Sequence, residues 1–212
     1  MKRIVAIKIG SSTLVTQRNK VDEFRVAHVA EQVVSLHKAG VAAVLIISGA
    51  VACGAGRIRA FSVDDKLKRV AAGVGQVYLI ATLQRIFAAK NLEIAQILLT
   101  ENLFDSEAHS SALKQVLDFY LHARIVPIIN ENDVMDLNSF GGNDLLVTKI
   151  AALIGADQVL ILSRMKVSLL GVGGKETKQH ALSLLEEEHV RARIVDGKTK
   201  TSSSRVFCKR LL

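Results

Sequence analysis

Short apolar runs alternate with longer stretches whose apolar residues recur at helical spacing, from one end of the 212-residue chain to the other. Arg3 to Ile9 (RIVAIKI) predicts a strand ended by Gly10-Ser11-Ser12. Asp22 to Ala39 predicts a helix with Phe24, Val29, Val33 and Leu36 near one face and Gly40 placed to stop it. Val41 to Ile47 (VAAVLII) is apolar throughout, as a strand covered on both faces should be, and Ser48-Gly49-Ala50 then turns the chain. Asp64 to Lys90 is rich in Ala, Leu and Val and predicts a long helix, bent near Gly73 and Gly75 because glycine weakens a helix interior. Strands follow at Glu93 to Leu99, Ile125 to Ile129 and Gln158 to Leu162, with Arg191 to Val195 as a last central strand and Arg205 to Lys209 as an edge strand. Helices separate them at Ser106 to Ala123, at Asn143 to Ile154 with a stop at Gly155, and at Thr177 to Glu188. This alternation implies an α/β fold, a three-layer α/β/α sandwich around a mostly parallel sheet. With no internal repeat or long linker, residues 1–212 are expected to form a single domain.

Polar chemistry concentrates where strands end. The run Ile125 to Ile129 gives way abruptly to Asn130-Glu131-Asn132-Asp133, expected as a loop. Ten residues later Gly141-Gly142-Asn143-Asp144 opens a helix. A strand that empties carboxylates and carboxamides into a loop before a glycine-led helix is the usual geometry of a ligand crevice in an open α/β sheet. Asn143 and Asp144 also fit an ordinary helix cap. Lys8 lies inside an apolar strand, where an ammonium group is costly unless it reaches a partner or a ligand. Beside it Gly10 and Ser11, like Ser48-Gly49-Ala50, offer small side chains that let backbone N–H groups approach an anion. Gly171 to Lys178 (GVGGKETK) puts three glycines and two lysines ahead of a helix, a second candidate phosphate cradle with Lys178 one turn inside.

Composition narrows the classes. Apolar residues are 50% and charged residues 23%, so the chain is expected to be globular. No uninterrupted apolar run approaches the roughly 20 residues needed to span a bilayer. Cys53 and Cys208 form no CxxC pair, which points to a reduced, cytoplasmic setting. The net charge is +8 and the isoelectric point is near 9.7, with 11 Lys/Arg against 5 Asp/Glu beyond residue 163. Such a bias suits nucleic acid or a polyanionic small molecule. With 4% aromatics and no Trp there is little to stack on bases, so nucleic acid is not the expected partner. Walker, GxGxxG and GxSxG motifs are absent, and the six histidines never cluster at metal-ligand spacing.

Taken together, AIKIGSSTLVT, VLIISGAVACGAGRI, RVAAGVGQVYLI, QILLT, VPIINENDV, FGGNDLL and GVGGKETK resemble the amino acid kinase family, in the family's order and over most of the chain. NEND followed by GxND is similar to the branch that phosphorylates glutamate, the glutamate 5-kinases. The resemblance implies ATP-dependent phosphorylation of the γ-carboxylate of L-glutamate, the entry to proline synthesis, with ATP and Mg²⁺ as cofactors. By the same resemblance Lys8 and Lys178 flank the transferred phosphoryl group and Asp144 orients them. Ser48, Asp133 and Asn143 hold glutamate, with Asn130 beside them. Lys8, Gly10, Ser11, Ser163, Arg164, Val172, Gly173, Gly174, Lys175, Glu176, Thr177 and Lys178 line the nucleotide. Proline as a feedback inhibitor and a homo-oligomeric state belong to the same expectation.

Departures from the family pattern fall on the nucleotide side. Arg164 stands at the position of a customary aspartate. The several dozen residues that usually precede the glycine-rich loop shrink to about eight, still long enough to span the gap at roughly 3.3 Å per residue. Gly142 replaces a frequent acidic residue, Lys175 a frequent apolar one, and the RNA-binding-like (PUA) domain that follows the kinase domain in many members is not expected here. An alternative reading is therefore a catalytically weak or inactive relative that binds glutamate.

Overall fold

The computed structural model describes residues 3–58, 64–163 and 175–196, the side chains of Lys175, Glu176 and Asp196 excepted. Arg164, Val172, Gly173 and Gly174, and the edge strand expected at residues 205–209, lie outside the described residues.

Six strands form one sheet: β1 (Ile4–Ile9), β2 (Ala42–Ile47), β3 (Ile94–Leu99), β4 (Val126–Glu131), β5 (Gln158–Ser163) and β6 (Arg191–Asp196). Their order is β3-β4-β2-β1-β5-β6 and every pairing is parallel. The helices are α1 (Ser11–Leu14), α2 (Glu23–Lys38), α3 (Ala50–Ile58), α4 (Asp65–Ala88), α5 (Glu107–Ala123), α6 (Asn143–Ile154) and α7 (Lys175–Glu187). From β1 to β2 to β3 the chain steps toward one edge; from β3 through β4 and β5 to β6 it steps back toward the other. Right-handed crossovers require those two directions to put their helices on opposite faces. Accordingly α2, α3 and α4 cover one face and α5, α6 and α7 the other, completing the α/β sandwich expected from the sequence. The strand order reverses beside β1, and the carboxyl ends of the strands at such a point are where open α/β sheets form a ligand crevice.

Alternation along the strands sorts the core. Val5, Ile7 and Ile9 of β1, with Leu45 of β2 and Ile128 of β4, pack against Leu36 of α2 and Leu79, Leu83 and Phe87 of α4. Ala6, Ile46 and Ile129 face the other way, against Leu117 of α5 and Leu146 and Ile150 of α6. Each large apolar side chain so enclosed stabilises the fold by roughly 2 kcal/mol. The same alternation fixes two polar residues. Asn130, two places beyond Ile128, points to the α4 layer; Glu131, two beyond Ile129, points to the α5–α6 layer.

Several expectations need correction. Asn130 and Glu131 are strand residues, buried at the end of β4, and only Asn132 and Asp133 belong to the loop. Phe24 is 70% exposed; Val26, Ala30 and Val33 form the buried stripe of α2 instead. β6 occupies an edge of the described sheet rather than its centre. The turns at Ser11 and Ala50 are the starts of α1 and α3, too short or too glycine-rich to announce themselves by periodicity. α4 is long and apolar enough, by length and composition, to cross a membrane, although Leu79, Leu83, Ile86 and Phe87 lie in the core beneath the sheet.

α4 also runs without interruption from Asp65 to Ala88, through Gly73 and Gly75. Gly75, with Gly54 of α3, answers a packing need. A Cβ on Gly75 would collide with the carbonyl of Ala50 and the amide of Gly54, and one on Gly54 with the carbonyl of Ala71. Backbone therefore meets backbone where α3 crosses α4. Gly75→Ala is expected to destabilise the protein by about 2–3 kcal/mol through overpacking. Gly73→Ala, whose Cβ would first meet Val134 Cγ2 at 3.4 Å, is expected to be neutral or slightly stabilising. Urea-unfolding midpoints of the two variants check the contrast.

Candidate functional site

Lys8 is the only charged residue of β1, on the Ala6 side of the strand, where α6 packs. It is 6% exposed and its Nζ lies 2.7 Å from Asp144 Oδ1. Asp144, 2% exposed in the first turn of α6, receives Lys178 Nζ from α7 at 3.3 Å on its other oxygen. Two ammonium groups thus share one buried carboxylate. Burial pushes the Lys8 pKa below its ordinary value, against the attraction of Asp144, and Lys178 adds repulsion from the far side. Gly10 borders the cluster: its N–H donates to Leu162 O at 3.1 Å, and a Cβ built there would lie 3.8 Å from Lys8 Nζ. Ser11 is exposed at the start of α1, Ser163 is half-buried at the end of β5, and Thr177 shares the first turn of α7 with Lys178. The backbones of Lys175 and Glu176 open that helix.

A second cluster is built of carboxamides. Asn130 Nδ2 donates to Gln76 Oε1 at 2.9 Å, and Asn130 Oδ1 accepts from Asn143 Nδ2 at 3.2 Å. Asn143 Nδ2 also donates to Ser48 Oγ at 2.8 Å. Neither Asn143 nor Asp144 caps α6: the cap position is Gly142, with φ 124°, and it makes no side-chain cap bond. Both side chains are thereby released, Asn143 to the amides and Asp144 to the lysines. Ser48 is held by its own N–H donating to Ile9 O at 3.1 Å, which sets the ends of β1 and β2 side by side.

Asp133 lies on the loop after β4, away from these bonds, and its Oδ1 accepts from Asn138 N at 3.1 Å. Partial burial raises its pKa, opposed by the Asn138 N–H and by the Arg69 guanidinium. Arg69 of α4 also ties the loop down, donating to Val134 O and Met135 O at 3.0 and 2.7 Å. From below, Glu131 Oε2 accepts from Phe140 N at 3.4 Å. Burial, together with the nearby Asp133 carboxylate, pushes the Glu131 pKa up to about 7.

The crevice therefore gathers Lys8, Asp144 and Lys178 in one cluster and Ser48, Asn130 and Asn143 in another, joined through the neighbours Asn143 and Asp144. Two residues were missed as site members from sequence. Gln76 is the one carboxamide in the run AGVGQVYLI, and a polar residue there was a usable signal. Glu131 was visible in NEND, but its burial depends on β4 running further than its apolar run suggests. Among the described residues no group of three or more His, Cys, Asp or Glu is arranged to hold a metal.

The amino acid kinase family model matches residues 3–196. Glutamate 5-kinase 2 of Bacillus subtilis is 37% identical over 167 residues, which are 77% of this chain and 45% of that protein. Glutamate 5-kinase of Shewanella pealeana is 31% identical over 98% of this chain and 66% of its own length. That alignment runs to 246 positions, more than this chain contains, so the relative carries residues without a counterpart here. The chain spans about half to two thirds of the length of these curated relatives. In three dimensions, UMP kinase of Bacillus anthracis superposes with a TM-score of 0.66 at 15% identity, covering 98% of this chain and 92% of that one, a likeness of fold alone. With the family model matching residues 3–196, the chain belongs to the amino acid kinase family.

Proposed function

We propose that this protein transfers the γ-phosphoryl group of ATP to the γ-carboxylate of L-glutamate, giving glutamyl 5-phosphate for proline biosynthesis. The observation that carries the reading is the pair of lysines on Asp144, one residue from the amide cluster at Asn143. The glutamate 5-kinase relatives supply the acceptor's identity.

A γ-carboxylate with a pKa near 4.3 is ionised at neutral pH, so no general base is required. The obstacle is that an anion must approach an anion. Lys8 and Lys178 bring two ammonium groups together at Asp144, where they offset the charge that spreads over the phosphoryl oxygens. A carboxylate oxygen forms the new bond to the γ-phosphorus while the bond to the β–γ bridging oxygen breaks, and ADP leaves with that electron pair. In this reading Ser48, Asn130 and Asn143 hold the acceptor and Asp133 pairs with its ammonium. Gly10, Ser11, Ser163 and Thr177 border the phosphates, and Arg164, Val172, Gly173, Gly174, Lys175 and Glu176 complete the nucleotide side by resemblance. Both oxygens of Asp144 face ammonium groups, so Mg²⁺ would arrive with the ATP phosphates and would help offset their charge. A homo-oligomeric state and inhibition by proline belong to this reading by resemblance alone.

ADP release should require both ATP-Mg²⁺ and L-glutamate. Lys8→Met is expected to lower kcat by at least about 100-fold with little change in circular dichroism, because Asp144 keeps Lys178. Near-normal turnover by Lys8→Met, or ADP release indifferent to L-glutamate, would refute the assignment. L-Glutamate binding without ADP release would leave a glutamate-binding protein instead.

Glu131 gives a pH signature. Its carboxyl has a higher pKa folded than unfolded, so the folded state binds the proton more tightly. Its contribution is fully present below about pH 4.5, the unfolded value, and is lost as pH rises through about 7. Glu131→Gln keeps an acceptor for Phe140 N–H without the charge. Relative to that variant, the native protein should lose about 2–3 kcal/mol of stability between pH 4.5 and 8, measured by urea unfolding across that range.

A further inference from the structure

The turn that follows β4 is wound by its own bonds. Asn132 N donates to Leu99 O at 2.7 Å at its root, and Asn132 O accepts the N–H groups of Met135 and Asp136 at 3.0 and 2.9 Å. Asp133 Oδ1 takes the N–H of Asn138. The carbonyls of Val134 and Met135 accept from none of these, as at the open end of a helix. Arg69 of α4 meets both of them instead, donating from Nη1 at 3.0 and 2.7 Å.

The later part of the loop is secured separately. Ser139 Oγ accepts from Glu101 N at 3.2 Å, and Glu131 Oε2 accepts from Phe140 N. Neither bond reaches residues 133–136, where Val134, Met135 and Asp136 are exposed. There the Val134 side chain lies over Gly73 of α4, and the half-buried Arg69 supplies the polar tie between turn and helix. Hydrogen bonds from a guanidinium are among the stronger kind, and two carbonyls on one donor nitrogen fix a place as well as a distance.

We propose that Arg69 is a positioning residue for the acceptor: its bonds to the carbonyls of Val134 and Met135 hold the turn from which Asp133 pairs with the substrate ammonium. The inference rests on the reading of L-glutamate as acceptor and adds to it how the ammonium-binding carboxylate is kept in place. Arg69 also acts on Asp133 through charge, opposing the upward pull of burial on that carboxyl. Clamp and charge predict opposite signs. A guanidinium beside the site repels the substrate ammonium, so a residue acting by charge alone could be neutralised without loss wherever Asp133 is ionised. A turn released from α4 must instead be ordered again each time the ligand binds, and binding weakens.

The test is steady-state kinetics and calorimetric titration of the full chain at about pH 8.5, well above the carboxylate range. Arg69→Met keeps the stem and loses the donors. Its KM and Kd for L-glutamate should rise about tenfold, with kcat within about twofold and the KM for ATP-Mg²⁺ unchanged. Glutarate, which lacks the ammonium, should bind within about twofold of the native value. Arg69→Gln, whose amide ends short of both carbonyls, should behave alike and decides the matter should Arg69→Met not fold. Unchanged or tighter L-glutamate binding in these variants would reveal charge without a clamp and overturn the proposal. So would equal losses for L-glutamate and glutarate, or failure of both variants to fold, either of which marks a merely structural residue. If the native protein binds no L-glutamate, the reading of the acceptor falls first and this inference with it. Native binding with an indifferent Arg69→Met removes the inference alone.

Discussion

A lysine in the middle of an all-parallel sheet has to be answered by something, and most of the site follows from how Lys8 is answered. β1 is flanked by β2 and β5 along its length, so its side chains have no edge from which to reach water. The ammonium of Lys8 meets Asp144 at 2.7 Å, but a one-to-one buried pair recovers its desolvation only with good geometry and further partners. Lys178 supplies one, on the second carboxylate oxygen. Three elements far apart in sequence, β1, α6 and α7, are thereby pinned at a single point. Placing Asp144 there requires α6 to start without a side-chain cap, which Gly142 allows through a backbone conformation that other residues rarely adopt.

The opposite wall is organised by packing before polarity. Gly54 and Gly75 let α3 and α4 touch backbone to backbone, and this fixes the two ends of the carboxamide chain. β4 then carries Asn130 into that layer and Glu131 into the other by simple alternation. Asn130 is paired on both amide atoms, whereas Glu131 meets a backbone N–H among carboxylates and is left reluctant to ionise. Adjacent residues of one strand thus acquire opposite characters from the face each occupies. Glu131 holds the root of a loop that Arg69 clamps from the other side, so Asp133 is carried on a braced segment.

How much of this was legible in the chain depends on the scale of the pattern. Strands and long helices were plain, because their apolar periods are sustained over a full element and the layers require them. Short α1 and α3 left no period to detect, and α3 reads as a turn because its glycines serve a helix contact that only the fold creates. Gly73 and Gly75 suggested a bend for the same reason: propensity reports on an isolated helix, and the neighbour that makes Gly75 necessary is distant in sequence. Phe24 misled in the other direction, since an apolar residue in a helical pattern has no obligation to be inside. In the site, Lys8 was legible as a misfit in an apolar strand, whereas Asn143 and Asp144 also fitted an ordinary helix cap and took their roles from the resemblance. Gln76 was not legible, because a single carboxamide gains meaning only once Asn130 is seen to face it. Glu131 was hidden by the assumption that a strand stops where its apolar residues stop.

Asn143 and Asp144 connect the two walls, and their adjacency gives the crevice a polarity of its own. On the Asp144 side lie two lysines sharing one carboxylate; on the Asn143 side lie a carbonyl oxygen without a partner among the described residues and, beyond it, Glu131 at the end of β4 and Asp133 on the loop that follows. A ligand with one charge would be drawn to one end. A zwitterion longer than the step between neighbouring residues is drawn by both ends and aligned between them, ammonium toward the loop and distal carboxylate toward the lysines. In the proposed reaction that alignment brings the distal carboxylate, rather than the α-carboxylate, to the phosphoryl group. It does so before any atom of the nucleotide takes part, so in that reading the choice between the two carboxylates of one substrate follows from where β1, α6 and the loop after β4 carry their charges.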